Sequence, residues 1–207
     1  MSTEASTDTK EQILNVAEYL IAERGFAGTT LRNVVSMAGV NLAAVHYHFG
    51  SKEELFRAVV ERIARPVVEH ELAALKQLQD EKKTPSVEDI MTAFLAAPLN
   101  LLLGDESSRT VRAQFMGRCR SEPEPIQSIA AQEFDASCQA FLDALQRALP
   151  DQSRSQLQWK FDLAIAALIR VQMEAGQPHA LIQSSHPDDV QQAISALAAF
   201  LAAGISA

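Results

Sequence analysis

Few cysteines and no long apolar run restrict what this chain of 207 residues can be. Its two cysteines, Cys119 and Cys138, fit no spacing typical of a metal site, so reduced thiols in the cytoplasm and no bound metal are expected. No run of eighteen or more uncharged apolar residues is present, and we expect no membrane span. Met1 to Thr9 are polar and do not resemble a secretory signal.

Motifs typical of enzymes are also missing. His46 and His48 are two residues apart, so on a helix they point in different directions and disfavour a shared metal. No cysteine or serine has a histidine partner in a known nucleophile motif, and no glycine-rich phosphate loop occurs. The sequence therefore predicts neither enzymatic activity nor a cofactor.

Negative charge is unevenly distributed along the chain. The net charge is −8, and residues 1–55 hold four Lys or Arg against seven Asp or Glu, so nonspecific coating of nucleic acid is disfavoured. Residues 24–52 nevertheless contain no acidic residue, while they include Arg24, Arg32 and Lys52. Because phosphate neutralisation supplies much of the affinity for duplex DNA, this acid-free stretch favours DNA contact.

The same stretch predicts two short helices joined by a tight turn. Abundant Ala and Leu, with apolar residues three and four apart, predict an all-α chain. Thr30 is a good N-cap, Gly39 ends the helix that follows, and Asn41 can cap the next helix, which reaches His48. This is the arrangement of a helix-turn-helix, whose second helix enters the major groove.

One face of that second helix is free for DNA. Val45 and Phe49 are four residues apart and are expected to pack inward. The remaining outer face consists of Leu42, Ala43, His46 and Tyr47. The last two are expected to donate hydrogen bonds to phosphate oxygens or to contact thymine methyl groups, and the helix starts at Thr30 and Lys52 add free N–H groups for phosphate.

The pattern Arg-Gly-Phe, Thr-Thr-Leu-Arg, Ala-Gly-Val-Asn and Tyr-His-Phe-Gly-Ser-Lys-Glu-Glu-Leu resembles the TetR family of transcriptional regulators over about residues 10–60. The resemblance implies a homodimeric repressor, bound to a near-palindromic double-stranded DNA operator and released by a small-molecule effector. It implies a flexible tail (1–9), a three-helix helix-turn-helix domain (10–55) and a larger helical bundle for ligand binding and dimerisation (56–207). Pro66, in the fourth helix, is a hypothetical flexing point between the two domains.

From the helix face and the resemblance together, the predicted DNA-contacting residues are Thr30, Arg32, Asn41, Leu42, Ala43, His46, Tyr47, His48 and Lys52. Tyrosine or asparagine is commoner in the family at position 46. Many members carry polar residues or glycine at positions 42 and 43. We therefore expect fewer hydrogen bonds to base edges here, and more apolar contact and reading of DNA shape.

The rest of the chain is less informative. Residues 122–125 followed by a long helix, together with residues 159–161, resemble a CecR-type subgroup. An apolar effector pocket among the middle helices would draw on Phe94, Phe115, Met116, Cys119, Phe134, Cys138 and Met173, although each also suits a core. Arg112 and Arg118 are expected on a solvated helix face.

Two apolar seams in the last two helices predict a two-fold four-helix dimer interface made by Leu157, Phe161, Ala164, Leu168, Val190, Ile194, Leu197 and Leu201. The alternative is that these seams close the core of the single chain. The rival function is a helical ligand-binding or adaptor protein whose helix-turn-helix no longer binds DNA, supported by the acidic balance of residues 1–55.

Overall fold

The computed structural model describes residues 2–103, 111–112, 115–119 and 122–207, and all regular secondary structure in that part of the chain is helical, as predicted. The helices are α1 Ser2–Gly28, α2 Leu31–Ala38, α3 Leu42–Phe49, α4 Lys52–Glu81, α5 Val87–Asn100, α6 Ile126–Ala148, α7 Arg154–Glu174 and α8 Pro187–Ser206. Residues 111–112 and 115–119 are also helical.

The predicted caps form the turn between α2 and α3. The Thr30 hydroxyl accepts a hydrogen bond from the Asn33 backbone N–H at 3.1 Å, and the Asn41 side chain accepts one from Ala44 N–H at 2.8 Å. Gly39 ends α2 in the left-handed region, at φ 65°. These caps satisfy backbone groups that a helix end leaves unpaired, which fixes where each short helix begins and ends.

The start of α1 differs from the prediction of a tail over residues 1–9. The helix begins at Ser2 instead of near Thr9. No glycine or proline lies between these two residues, so nothing in the sequence breaks the helix there. Near the other end, Gly25 has a φ of 73° and interrupts an otherwise helical stretch that continues to Gly28.

The chain forms two compact units. Unit 1 comprises Met1–Ala64 and Gln114–Glu133, and unit 2 comprises Arg65–Ala113 and Phe134–Ala207. The division falls in α4, between Ala64 and Arg65, immediately before Pro66. Unit 1 also includes a segment from the middle of the chain, which the predicted 10–55 domain lacks.

Unit 1 is built around the inward face of α1. Ile13 and Leu20 of this helix are buried, as are Val34 of α2 and Val45 of α3. The Phe56 ring lies 5.4 Å from the Phe26 ring and 5.9 Å from the Phe115 ring, measured between centroids. Aromatic contact therefore joins α4 to the end of α1 and to the 115–119 segment.

Unit 2 has an aromatic centre. The Phe94 ring centroid lies 5.2 Å from that of Phe141 and 4.9 Å from that of Phe161, and α5 packs against α8. All eight residues predicted for the dimer interface are buried in this core, at 0–7% exposure: Leu157, Phe161, Ala164, Leu168, Val190, Ile194, Leu197 and Leu201. Their own chain covers these side chains, as expected from the alternative that the seams close the core of the single chain, and the dimer interface stays a prediction.

By length and composition α8 is apolar enough to cross a membrane. Its buried face, including Val190 and Ile194, packs in the core of unit 2. A core helix of a globular domain has the same length and composition, and α8 is part of the core of unit 2.

Candidate nucleic-acid interface

The outer face of α3 is open to solvent as the sequence predicts. Tyr47 is 82% exposed and Leu42 40% exposed, and Ala43 and His46 are also exposed. Val45 is fully buried. A short helix held by its inner face, with an exposed outer face that has no acidic side chain, can enter a major groove.

The Nδ1 atom of His46 contacts a backbone carbonyl of the protein, whereas the sequence predicted that this side chain would contact phosphate oxygens or thymine methyl groups. Its Nδ1 lies 2.8 Å from the carbonyl oxygen of Gly50, and Gly50 N–H donates back to the His46 carbonyl at 3.0 Å. A carbonyl oxygen can only accept, so Nδ1 is the donor. In the neutral ring, the proton that we expected to reach a DNA phosphate is therefore used inside the protein.

His48 is less accessible than its neighbours. Its side chain is half-buried, and its ring lies 5.1 Å from Tyr47 and 6.0 Å from Phe49, measured between centroids. This stacking supports the orientation of the exposed Tyr47 ring. In the structure His48 therefore packs between Tyr47 and Phe49, and its contact with DNA stays a prediction.

Arg32 and Met37 add to the surface from α2. Arg32 is exposed, and no ion pair to it occurs among the described residues. Met37, which the sequence analysis did not single out, is 55% exposed one residue before Ala38 ends the helix. Both side chains extend the candidate interface beyond α3.

Lys52 stands at the start of α4 with its Nζ 3.9 Å from the centroid of the Phe26 ring, a cation–π contact. Partial burial lowers the pKa of the Lys52 ammonium, and the nearby carboxylates of Glu53 and Glu122 oppose that shift. The position of Lys52 is therefore fixed by a ring and by acidic neighbours before any phosphate approaches.

Two side chains from the middle of the chain hold the end of α1. Arg118 donates from Nε to the Ala22 carbonyl at 2.5 Å and from Nη2 to the Glu23 carbonyl at 3.0 Å. Glu122 Oε1 accepts from the Phe26 backbone N–H at 2.7 Å, across 96 residues of sequence. Arg118 is exposed, as expected, and its guanidinium also satisfies carbonyls that the α1 terminus leaves free.

Gly25 is required by the same contact. Its φ of 73° disfavours any residue with a Cβ, and a Cβ built there would lie 2.6 Å from Glu122 Oε1. The Arg-Gly-Phe motif of the sequence thus lies where Arg118 and Glu122 bind the end of α1. No local signal in the sequence could have paired positions so far apart.

The acidic balance of the module is partly offset by Arg62. Its guanidinium lies 3.1 Å from Glu11 Oε2 and in close contact with the buried Glu18 carboxylate, and it donates to Asn15 Oδ1 at 2.8 Å. The count over residues 1–55 omits this arginine, which belongs to unit 1. Two of the acids of α1, Glu11 and Glu18, therefore share one arginine as partner.

The predicted effector residues are divided between the units. Phe115, Met116 and Cys119 are buried in unit 1. In unit 2, Phe94 and Phe134 are buried, Cys138 is partly exposed and Met173 is 49% exposed. Cavities of about 420 Å³ at Ala180–Ala196 and about 410 Å³ at Gln79–Ala148 are lined by none of them. The effector site stays a prediction, and Met173 is better described as a surface residue.

Within the described residues, no group of three His, Cys, Asp or Glu side chains is close enough to hold a metal ion.

Comparison with known proteins gives two family matches. Residues 13–59 match the model of bacterial regulatory proteins of the tetR family, and residues 92–204 match that of the Tetracyclin repressor-like C-terminal domain. The chain is 30% identical over 114 residues to the HTH-type transcriptional repressor BepR of Brucella suis, covering 55% of this chain and 52% of that protein. It is 33% identical over 116 residues to the HTH-type transcriptional regulator TtgR of Pseudomonas putida, covering 56% of this chain and 53% of that one.

The chain therefore spans about half the length of these two relatives. Among solved structures it is similar to the transcriptional regulator FadR from Bacillus subtilis in complex with stearoyl-CoA, with a TM-score of 0.67, 14% identity and coverage of 94% of this chain and 98% of that one. At that identity the likeness concerns the fold alone. The match to the C-terminal model covers more than half of this chain. The chain therefore belongs to the TetR family of bacterial regulatory proteins.

Proposed function

We propose that this protein is a ligand-responsive transcriptional regulator, a repressor that binds a near-palindromic double-stranded DNA operator in the cytoplasm. The observation that carries the proposal is the exposed outer face of α3, with Tyr47 82% exposed inside a stretch of 29 residues, 24–52, that lacks any acidic side chain. An acid-free recognition helix at the N-terminus of a helical chain has the geometry and the electrostatics that major-groove binding needs.

Contacts to the DNA backbone fall to groups at the edges of α2 and α3. Arg32 is exposed and free to pair with a phosphate, and Lys52 is held in place by the Phe26 ring. Such contacts fix the register of the protein on the duplex, while Leu42, Ala43 and Tyr47 are left to contact base edges and thymine methyl groups. Affinity should therefore fall steeply as salt rises.

We place the homodimer interface on the exposed faces of α7 and α8, in place of the buried seams. Trp159 is 52%, Leu163 60% and Phe200 74% exposed. Large apolar side chains on two neighbouring helices suit a two-fold four-helix contact, which would present two copies of α3 to successive turns of the duplex.

A charged substitution on the exposed faces of α7 and α8 tests this dimer interface. Leu163→Glu should give a folded monomer by light scattering, because the side chain it replaces is already exposed to solvent. Thr84→Glu, an exposed loop position, is the matched control and should leave the mass of the dimer unchanged. A dimer that survives both Leu163→Glu and Phe200→Glu would rule out this face.

Response to an effector can pass through Arg118 and Glu122. A small molecule that displaces Arg118 and Glu122 would break charge-assisted hydrogen bonds at Ala22, Glu23 and Phe26, each of which is worth about 1.5–3 kcal/mol. Because the Phe26 ring also supports Lys52, the change would reach a DNA-contacting side chain. The effector needs only a higher affinity for the displaced state to release the operator.

Selection of duplex DNA from a random pool tests the proposal. At about 0.1 M salt, near the ionic strength at which the Debye length is about 10 Å, wild type should enrich a near-palindromic motif and Tyr47→Ala should not. The enriched duplex then serves to screen small molecules for release. A folded dimer that enriches no sequence would overturn the regulator and favour the adaptor protein instead.

A further inference from the structure

His46 is the recognition-helix side chain whose chemistry the structure defines most closely. It is exposed, and its ring is held by Nδ1 at 2.8 Å from the Gly50 carbonyl, one helical turn further along the chain. Gly50 N–H returns a hydrogen bond to the His46 carbonyl at 3.0 Å. The two reciprocal bonds fix the ring at the C-terminal end of α3.

The contact also fixes the tautomer of the ring. The Gly50 oxygen has no proton to give, so the Nδ1 of neutral His46 carries the hydrogen. Nε2 is then an unprotonated nitrogen with one lone pair. Within the described part of the chain Nε2 has no hydrogen-bond partner, so this acceptor is available to a ligand.

The rest of α3 offers little else for reading bases. The helix Leu-Ala-Ala-Val-His-Tyr-His-Phe contains no Asn, Gln, Arg, Lys, Asp or Glu, the residues that make most hydrogen bonds to base edges. His48 is half-buried beside Tyr47 and Phe49. His46 is therefore the nitrogen acceptor that α3 exposes to a groove.

In the major groove, the four bases differ in whether they offer such an acceptor a hydrogen-bond donor. Adenine presents the N6 amino group and cytosine the N4 amino group, and both donate hydrogen bonds. Thymine O4 and guanine O6 are acceptors, and would face the Nε2 lone pair with like partial charge. Phosphate oxygens repel it in the same way, so a neutral His46 is unsuited to the phosphate contact that its position in the sequence suggests.

We infer that His46 is a specificity-determining residue that selects an amino base, adenine or cytosine, over a keto base, guanine or thymine, at one position of each operator half-site. The inference rests on the proposed function and deepens it, because it names the chemical group on DNA that the recognition helix reads. It also predicts a form of degeneracy, A or C on the same strand.

The test is duplex selection with wild type, His46→Ala, His46→Lys and a control. Wild type should prefer A or C over G or T by about fivefold to tenfold at one position per half-site, the usual size for one base-edge contact. His46→Ala should lose that preference while keeping the rest of the motif. His46→Lys, which has donors and no acceptor, should reverse it toward G or T.

The matched control is His70→Ala. His70 is also exposed and its Nδ1 also contacts a backbone carbonyl, that of Pro66, at 2.5 Å, but it lies in unit 2 far along α4. This variant should select the wild-type motif. A general effect of losing a histidine–carbonyl contact would change both variants and would overturn the assignment to His46.

A chemical substitution in the DNA checks the same atom without altering the protein. Purine in place of adenine at that position removes the N6 amino group and should weaken wild-type binding about fivefold or more, while His46→Ala should bind both duplexes alike. A wild-type motif without amino–keto preference, or equal binding of purine and adenine duplexes, overturns this inference and leaves DNA binding intact. Absence of any motif would instead overturn the proposed function, and this inference with it.

Discussion

Both units have an apolar core with aromatic contacts, but in unit 1 charged side chains also bind α1 from distant parts of the chain. In unit 1, charged side chains join distant segments: Arg62 reaches α1, and Arg118 and Glu122 reach the α1 terminus across 96 residues. In unit 2, the rings of Phe94, Phe141 and Phe161 form a packed aromatic centre. Charge-assisted hydrogen bonds are few and directional, so a small displacement breaks them, whereas packing is shared among many atoms.

This difference assigns a role to each unit. In the proposed regulator, a packed core can present a fixed dimer surface, and polar contacts such as those of Arg118 and Glu122 can break when one segment moves. The proposed regulator needs both properties, since its two DNA-binding heads must be held at a set spacing and then released.

The largest effect is expected at the aromatic centre of unit 2. Phe161 is fully buried, and Phe161→Ala should lower the free energy of unfolding by about 3–5 kcal/mol, because it leaves a cavity among rings. Urea unfolding measures the change. Leu181→Ala, at a side chain 46% exposed, is the matched truncation and should cost less than about 1 kcal/mol. Similar losses for both would contradict a packed centre.

An intermediate effect is expected at Gly25. Gly25→Ala should destabilise the protein by about 1–2 kcal/mol from its left-handed backbone, with a further loss from the clash with Glu122. In a Glu122→Ala background the clash disappears and only the backbone cost remains. Unfolding measurements on the two single variants and the double variant separate the terms, and strict additivity would show that Gly25 and Glu122 do not touch.

The smallest effect on the free energy of unfolding is expected at the capping box of Ser86 and Asp89, which starts α5 in unit 2. Hydrogen bonds from Lys82 and Ser86 lower the pKa of Asp89 to about 2, from an ordinary value of 3.8. A carboxyl whose pKa is depressed on folding stabilises the protein above its unfolded pKa, and that contribution disappears as pH falls through the folded value, here between about pH 4 and pH 2.

Asp89→Asn should therefore cost about 1 kcal/mol at neutral pH, the usual size of a cap with one partly exposed ion pair. The difference from wild type should shrink as pH falls toward 2, and unfolding curves at several pH values measure it. A difference that is constant over that range would show that the charge of Asp89 contributes nothing to stability.

Local chemistry in the sequence was sufficient to predict the DNA-binding module. Thr30, Asn41 and Gly39 act within four residues of their own positions, so their caps and turn are encoded beside them. The same holds for the exposure of Tyr47, which follows from helical spacing around Val45 and Phe49. The absence of acids from residues 24–52 is a property of the sequence itself.

Other features depend on packing that a sequence does not display. Apolar residues three and four apart, such as Leu157 and Phe161, suit an interface and a core equally well, and only the fold showed that they are core. The contact of Glu122 with Phe26 spans 96 residues, and the Nδ1 proton of His46 is fixed by a backbone carbonyl. Neither leaves a local pattern.

The most direct test of the central claim, that the α2–α3 surface binds DNA, is the salt dependence of binding to the selected duplex. For wild type, log K should fall linearly with log salt, and Arg32→Ala should reduce the slope by about 2 for a dimer that loses one phosphate contact in each half-site. An affinity that does not change with salt, or a slope that Arg32→Ala leaves untouched along with the affinity, would contradict the account.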